Sequence, residues 1–303
     1  MDISYWASSA RSWTDIVDGC RWAETQGWHG VWVPDHFMPD VGDAASSDAE
    51  LGPVHEAWTL QAAIAASVPR VRVGAMVAGT TYRHPAVVAK MAATIDHISG
   101  GRFVLGLGAG WQLNEHRHYG LDLGSPAERS DRLEEACHVI SGLLHEDRTS
   151  FDGEYYRLDD APCEPKPVQE RLPLLVAGRG ERRTLRTVAR FADEWNAWAL
   201  ADEVPGAKAV LRRWCDEIDR DVDDIRITVA AFVHICDTDD EAGPMRDALA
   251  HRGGLVGTVD QLRRAVADYA SAGVSELVIP DFLVDPDRRD ELLGRFQVEV
   301  MDA

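Results

Sequence analysis

Asp35 and His36 stand side by side in the run VWVPDHF at positions 31–37, where a segment of strand character ends. A carboxylate beside an imidazole can move a proton, with each group tuned by burial and by its neighbours. The plainer reading of the pair is a polar strand end that satisfies itself. A second group lies at residues 102–115, RFVLGLGAGWQLNE, where an apolar strand runs into Gly106, Gly108 and Gly110 and then Trp111. Glycines at a strand end let a flat ligand lie against the backbone, or let neighbouring chain pack closely, because no Cβ intervenes. The spacing is not the dinucleotide pattern GxGxxG opening a helix, and the strand is fourth in line rather than first, so a nucleotide fold is disfavoured. A third group, Gly79-Thr80-Thr81-Tyr82-Arg83-His84-Pro85, offers small residues and hydroxyls to the edge of a heterocycle. Its Arg83 and His84 read either as anion contacts or as an ion pair and a helix cap. In the fourth, Gly178-Arg179-Gly180, a strand becomes a helix through free amides, with Arg179, Arg182 and Arg183 close by, which suits a phosphate. Glu115, His116 and His118 have the composition of a metal cluster without HExxH spacing, and a solvated loop is the expectation there. No metal site is expected.

Positioning these groups requires strands whose ends converge. Short apolar runs alternate with amphipathic segments throughout, the pattern of parallel βα units. Eight runs qualify as strands: 3–6, 31–37, 71–77, 103–107, 174–177, 194–200, 225–235 and 277–281. The helical pattern falls at 14–26, 58–67, 86–98, 128–145, 182–191, 207–220 and 259–272, and Gly27, Gly100 and Gly273 stand where left-handed C-caps belong. Eight repeats predict an α/β fold, a (β/α)8 TIM barrel, read as one domain over residues 1–303. Two long inserts interrupt it: Pro39 to His55 after strand 2, and Thr149 to Leu172 after strand 4, the latter with a hairpin turn at Asp152-Gly153. In such a barrel the strand ends carrying Asp35, Gly110 and Gly178 share one catalytic rim.

Composition narrows the partners. With 31 basic against 51 acidic residues the formal charge is −20, which disfavours nucleic acid and anionic membrane surfaces. A small-molecule substrate is the expected partner. Five dispersed cysteines without a CxxC pair indicate neither a disulfide framework nor zinc, and the N-terminus MDISYWASSARSW lacks the basic and apolar regions of a secretory signal. A cytoplasmic protein without membrane spans is expected.

Taken together, VWVPDHF, TYRHPAVVAKMAATIDHISGGRFVLGLGAGWQLNEHRHYG, RSDRLEEACHVISGLL and LLVAGRGERRTLRTVARFADEWN resemble the luciferase-like monooxygenase superfamily, and within it the deazaflavin (F420)-dependent oxidoreductases. The resemblance runs in order along nearly the whole chain, through a closing helix at 285–301. It implies the same barrel, coenzyme F420 as cofactor with FMN as the alternative, and a homodimer, since dimers are common among similar proteins. It places Asp35 and His36 beside the deazaflavin ring, with His36 as acid/base. It implies a bulge in the third strand with a non-proline cis peptide between Met76 and Val77, near Gly79 or Thr80. Ala109, Gly110 and Asn114 match cofactor-contacting positions, and Gly178, Arg179 and Gly180 match the phosphate-binding turn. Two departures stand out. Trp111 replaces the glutamate that serves the sugar-phosphate dehydrogenases as proton donor, and Asp40 replaces a tryptophan after the Asp-His pair. Both argue against a sugar phosphate, and Trp111 offers an apolar wall to the substrate. The function so implied is hydride transfer between the deazaflavin C5 and a small organic substrate. An FMN-dependent two-component monooxygenase and a non-catalytic cofactor-binding member are the alternatives.

Overall fold

A computed structural model describes residues 1–40, 51–249 and 253–302. Eight parallel strands form its centre: β1 (Asp2–Trp6), β2 (Gly30–Val33), β3 (Arg72–Ala75, resuming briefly at Ala78–Gly79), β4 (Phe103–Gly108), β5 (Leu174–Ala177), β6 (Glu194–Trp198), β7 (Arg226–Ala230) and β8 (Glu276–Pro280). Each pairs with its neighbours, β8 returns to β1, and the β3 to β4 pairing, Val73 with Phe103, completes the ring. The chain therefore folds as the closed (β/α)8 barrel that its eightfold rhythm predicts.

Strand alternation divides the core. Outward residues such as Tyr5, Val31, Val73, Leu105 and Ile279 pack beneath the helices, whereas Trp32, Val104, Leu175, Ala230 and Val278 fill the barrel interior. Below that apolar layer the inward positions are charged: Arg72, Glu194, Arg226 and Glu276. Arg72 pairs with Glu194 and, at 3.5 Å, with Glu276; Arg226 pairs with Glu276 at 3.0 Å and Asp2 at 2.5 Å.

Helix boundaries follow their local signals. Ser12 caps α1 (Trp13–Thr25), and Ser125 forms a capping box with Glu128 at the start of Pro126–His145. Gly27, Gly100 and Gly273 take φ of 79°, 68° and 88°, as left-handed C-caps do. Four expectations are corrected. The second strand ends at Val33, since Pro34 brings no N–H to a ladder. The third, read as 71–77, breaks after Ala75 at the bulge that the resemblance implies, where the Met76–Val77 peptide is cis as that resemblance expects. The seventh run divides: Arg226–Ala230 stays in the barrel, and Phe232–Ile235 leaves it to pair with Gly254–Gly257. The stretch around Glu115 is a helix, Leu113–Tyr119, closed by Gly120 at φ 67°, rather than a solvated loop.

The insert after β4 contains the predicted hairpin, Thr149–Asp152 with Arg157–Ala161, whose Gly153 N–H donates to the Tyr156 carbonyl. In the insert after β2, residues 41–50 lie outside the described residues. Among the described residues no helix is long and apolar enough to cross a membrane, and all five cysteines are free and buried.

Candidate active site at the C-terminal rim

A cavity of about 690 Å³ opens where the barrel strands end. Its walls come from the ends of seven strands, with Trp6, His36, Val77, Ala109, Gly178, Trp198 and Phe282 among the lining residues. Side chains remote in sequence meet here because parallel strands all deliver their C-terminal residues to one face.

The glycine run of β4 has a different purpose from the one its composition suggests. A Cβ on Gly106 would stand 2.1 Å from the Ala75 carbonyl oxygen, one on Gly108 would stand 2.6 Å from Val77, and one on Gly110 2.5 Å from the Thr81 hydroxyl. The glycines admit the bulged third strand, and the bulge presents Met76 and Val77 to the cavity. Close packing, the second reading of the run, accounts for Gly106 and Gly108. Gly110, at φ 80°, turns the chain so that Ala109 and Trp111 border the space.

Asp35 and His36 part company. Asp35 is buried; its carboxylate takes a fork from Arg83 at 2.8 and 3.1 Å and the Gly79 N–H at 3.2 Å. Burial pushes this carboxyl above its usual range, with Arg83 pulling against it. Arg83 also binds Glu56 at 2.5 Å, and His84 caps the Pro85–Ser99 helix through the Ala86 N–H. The ion-pair and cap reading thus holds for both. His36 faces the cavity, and its Nδ1 lies 2.8 Å from Glu115 Oε1.

Glu115 is the functional candidate that sequence reasoning missed. Fully buried, it accepts from His36, the Tyr82 hydroxyl and the N–H groups of Phe37 (2.6 Å) and Met38 (3.2 Å). Burial pushes its carboxyl up, but the hydrogen bonds from His36, Tyr82 and Phe37 outweigh burial and hold it below the usual carboxylate range. An ionised Glu115 only accepts, so His36 Nδ1 carries a proton and donates it, leaving Nε2 without a partner among the described residues. Burial and Glu115 push the Tyr82 hydroxyl far up, so it remains a donor. The available signal was Gly120, which ends a helix on whose inner face Glu115 and His116 lie.

The remaining candidates scatter. Thr80 donates to the Gly108 carbonyl at 3.2 Å and stitches β3 to β4. Asn114 donates to the Pro39 carbonyl at 3.1 Å and accepts from Gln112, so it fastens the chain after β2 rather than bordering the cavity. Trp111 is 56% exposed, edge-on to His36 with ring centres 5.4 Å apart, and stands at the mouth. Gly178, at φ 132°, and Arg179 border the cavity's far end, where Arg179 pairs with Glu203 at 2.8 Å. Arg183 is drawn away to Asp131, whereas Arg182 is exposed and has no partner among the described residues. No group of three or more metal-ligating side chains occurs among the described residues.

A closed (β/α)8 barrel with a broken third strand and a deep rim cavity defines a class, and comparison with known proteins names it. The description "luciferase-like monooxygenase" matches residues 1–250, and the chain belongs to that family. It is 36% identical over 181 residues to an F420-dependent glucose-6-phosphate dehydrogenase of Amycolatopsis mediterranei, covering 59% of this chain and 50% of that one. It is 32% identical over 188 residues to an FMNH2-dependent dimethylsulfone monooxygenase of Pseudomonas putida, covering 62% and 51%. The chain thus aligns with about half the length of these relatives. Among solved structures, an F420-dependent secondary alcohol dehydrogenase in complex with an F420-acetone adduct superposes with a TM-score of 0.82 at 20% identity, covering 99% of this chain and 97% of that one. The family holds both oxidoreductases and monooxygenases.

Proposed function

We propose that this protein is an F420-dependent oxidoreductase acting on a small organic substrate other than a sugar phosphate. The single observation that carries the reading is His36, which borders the same cavity as the Val77 bulge with Glu115 fixed behind it. The residues fit a deazaflavin: Val77 and Ala109 give a flat ring apolar backing, and the amides of the Gly178–Gly180 turn with the unpaired Arg182 suit its phosphate. When bound, the deazaflavin supplies a C5 carbon able to carry hydride. His36 Nε2 moves the accompanying proton to or from the substrate oxygen. Glu115 holds the imidazole in one tautomer. Asp35, tied to Arg83 and the Gly79 amide, keeps the third strand in place behind the ring. Trp111 at the mouth takes the place of a carboxylic acid, which leaves His36 as the proton carrier.

The FMN-dependent monooxygenase reading has one specific support, the match to the dimethylsulfone enzyme. Titration of the purified protein with F420 and with FMN, followed by anaerobic single turnover, separates the two. Tight F420 binding and turnover without oxygen are expected. FMN binding alone, or an absolute need for oxygen, overturns the proposal.

A further inference from the structure

The cavity has an aromatic side that the chemistry above leaves unused. Trp6 ends β1, Trp198 ends β6, and Phe282 follows β8; all three border the cavity. Their rings pack on one another, Trp6 with Trp198 at 5.6 Å and with Phe282 at 5.1 Å, while buried Phe232 stacks behind Trp198 at 5.3 Å and 28°. Trp198 is tilted 36° to Trp6 and Phe282 stands at 70° to it, so the three make a bent apolar wall on which a flat ring stacks against one face and meets another edge-on. The loop bearing Phe282 is anchored: the Asp281 carboxylate accepts from the Ser8 N–H at 2.8 Å and the Tyr5 hydroxyl, and pairs with Arg11 at 3.2 Å. The wall therefore exists before any ligand arrives.

Charge restricts the occupant further. Of the cationic side chains bordering the cavity, Arg179 is engaged by Glu203, and Arg83 behind the rim is held by Asp35 and Glu56. Asp35 is likewise spent on Arg83, and Asp40 is engaged as well, so an ion of either sign would enter without a free counter-charge.

We infer that the substrate is an uncharged compound with a flat apolar group, an aryl or fused-ring carbonyl or the matching alcohol. Its ring lies along Trp6, Trp198 and Phe282 and its oxygen is turned toward the His36 side. The inference rests on the oxidoreductase reading for its choice of a carbonyl, but the wall is tested by binding alone.

Isothermal titration of the F420-saturated protein with 2-acetylnaphthalene, 2-naphthoate and naphthylmethyl-trimethylammonium holds the ring constant and varies the charge. The neutral ketone is expected to bind at least about tenfold tighter than either ion, and Trp198→Ala to weaken it about tenfold while leaving F420 affinity unchanged. Phe282→Ala, on a surface loop, gives the same test should Trp198→Ala fail to fold. Equal or tighter binding of either ion, or ketone affinity indifferent to both substitutions, overturns the inference. If F420 itself does not bind, the titration is run on the cofactor-free protein. A retained preference for the neutral ketone then shows that the cofactor reading failed and the wall did not, whereas its loss there overturns the inference as well.

Discussion

The two ends of this barrel both contain buried charge and use it in opposite ways. At the lower end Arg72, Glu194, Arg226, Glu276 and Asp2 point inward and pair with one another, plugging the barrel below Trp32. At the upper end the charges stand behind the wall: Asp35 with Arg83 and Glu56, and Glu115 with His36 and Tyr82, each tying a rim loop from outside. What faces the upper cavity is mostly aromatic and backbone surface together with the His36 edge. Charge satisfied by charge fills volume. Charge satisfied by loop amides and a single imidazole positions a reactive group and leaves it one free nitrogen.

The sharpest way to break this comparison is at the lower end. Glu276→Ala takes from Arg72 and Arg226 the buried carboxylate they share, leaving Arg72 to Glu194 and Arg226 to Asp2, and should cost about 2 to 3 kcal/mol in urea unfolding. A loss under about 1 kcal/mol would mean that water already reaches the plug. At the upper end His36→Asn should leave unfolding and F420 affinity unchanged and lower turnover about 10²- to 10⁴-fold. Equal turnover would transfer the proton step to another group. Between the two ends, Gly106→Ala drives a methyl toward the Ala75 carbonyl and should cost about 1 to 3 kcal/mol, with weaker cofactor binding as the bulge shifts. Undiminished stability would separate the bulge from the glycine run.

The smallest effect is a pH dependence. The folded-state pKa of Glu115 lies below its unfolded value of about 4.3, so its contribution is present above that pH and disappears as pH falls through the folded value. The wild-type protein should therefore lose stability on acidification below about pH 5 more steeply than Glu115→Gln. Superimposable unfolding curves for the two proteins between pH 3 and pH 6 would show that the carboxylate is not what holds His36.

Strand positions were legible because apolar runs bounded by glycine or proline are a local signal, and β5 was read to the residue as Leu174–Ala177. Errors fell where pairing partners decide. Nothing within 225–235 says that Ala231 closes the barrel strand and that Phe232 turns to a second sheet; the Gly254–Gly257 partner does. The candidate site was read in the same uneven way. His36 was visible as an imidazole at a strand end, but Glu115, 79 residues away, is invisible as its partner until the helix after β4 folds over the loop after β2.

Periodicity, caps, acidic balance and family all follow from residue type and spacing along one chain. Tertiary structure alone decided that Gly106 and Gly108 make room for a strand, that Arg83 is consumed by Asp35, and that Trp6, Trp198 and Phe282 form one wall. The physical reason is that packing and charge pairing depend on distance in space, and a closed barrel brings residues 6, 198 and 282 to the same rim although they are far apart along the chain.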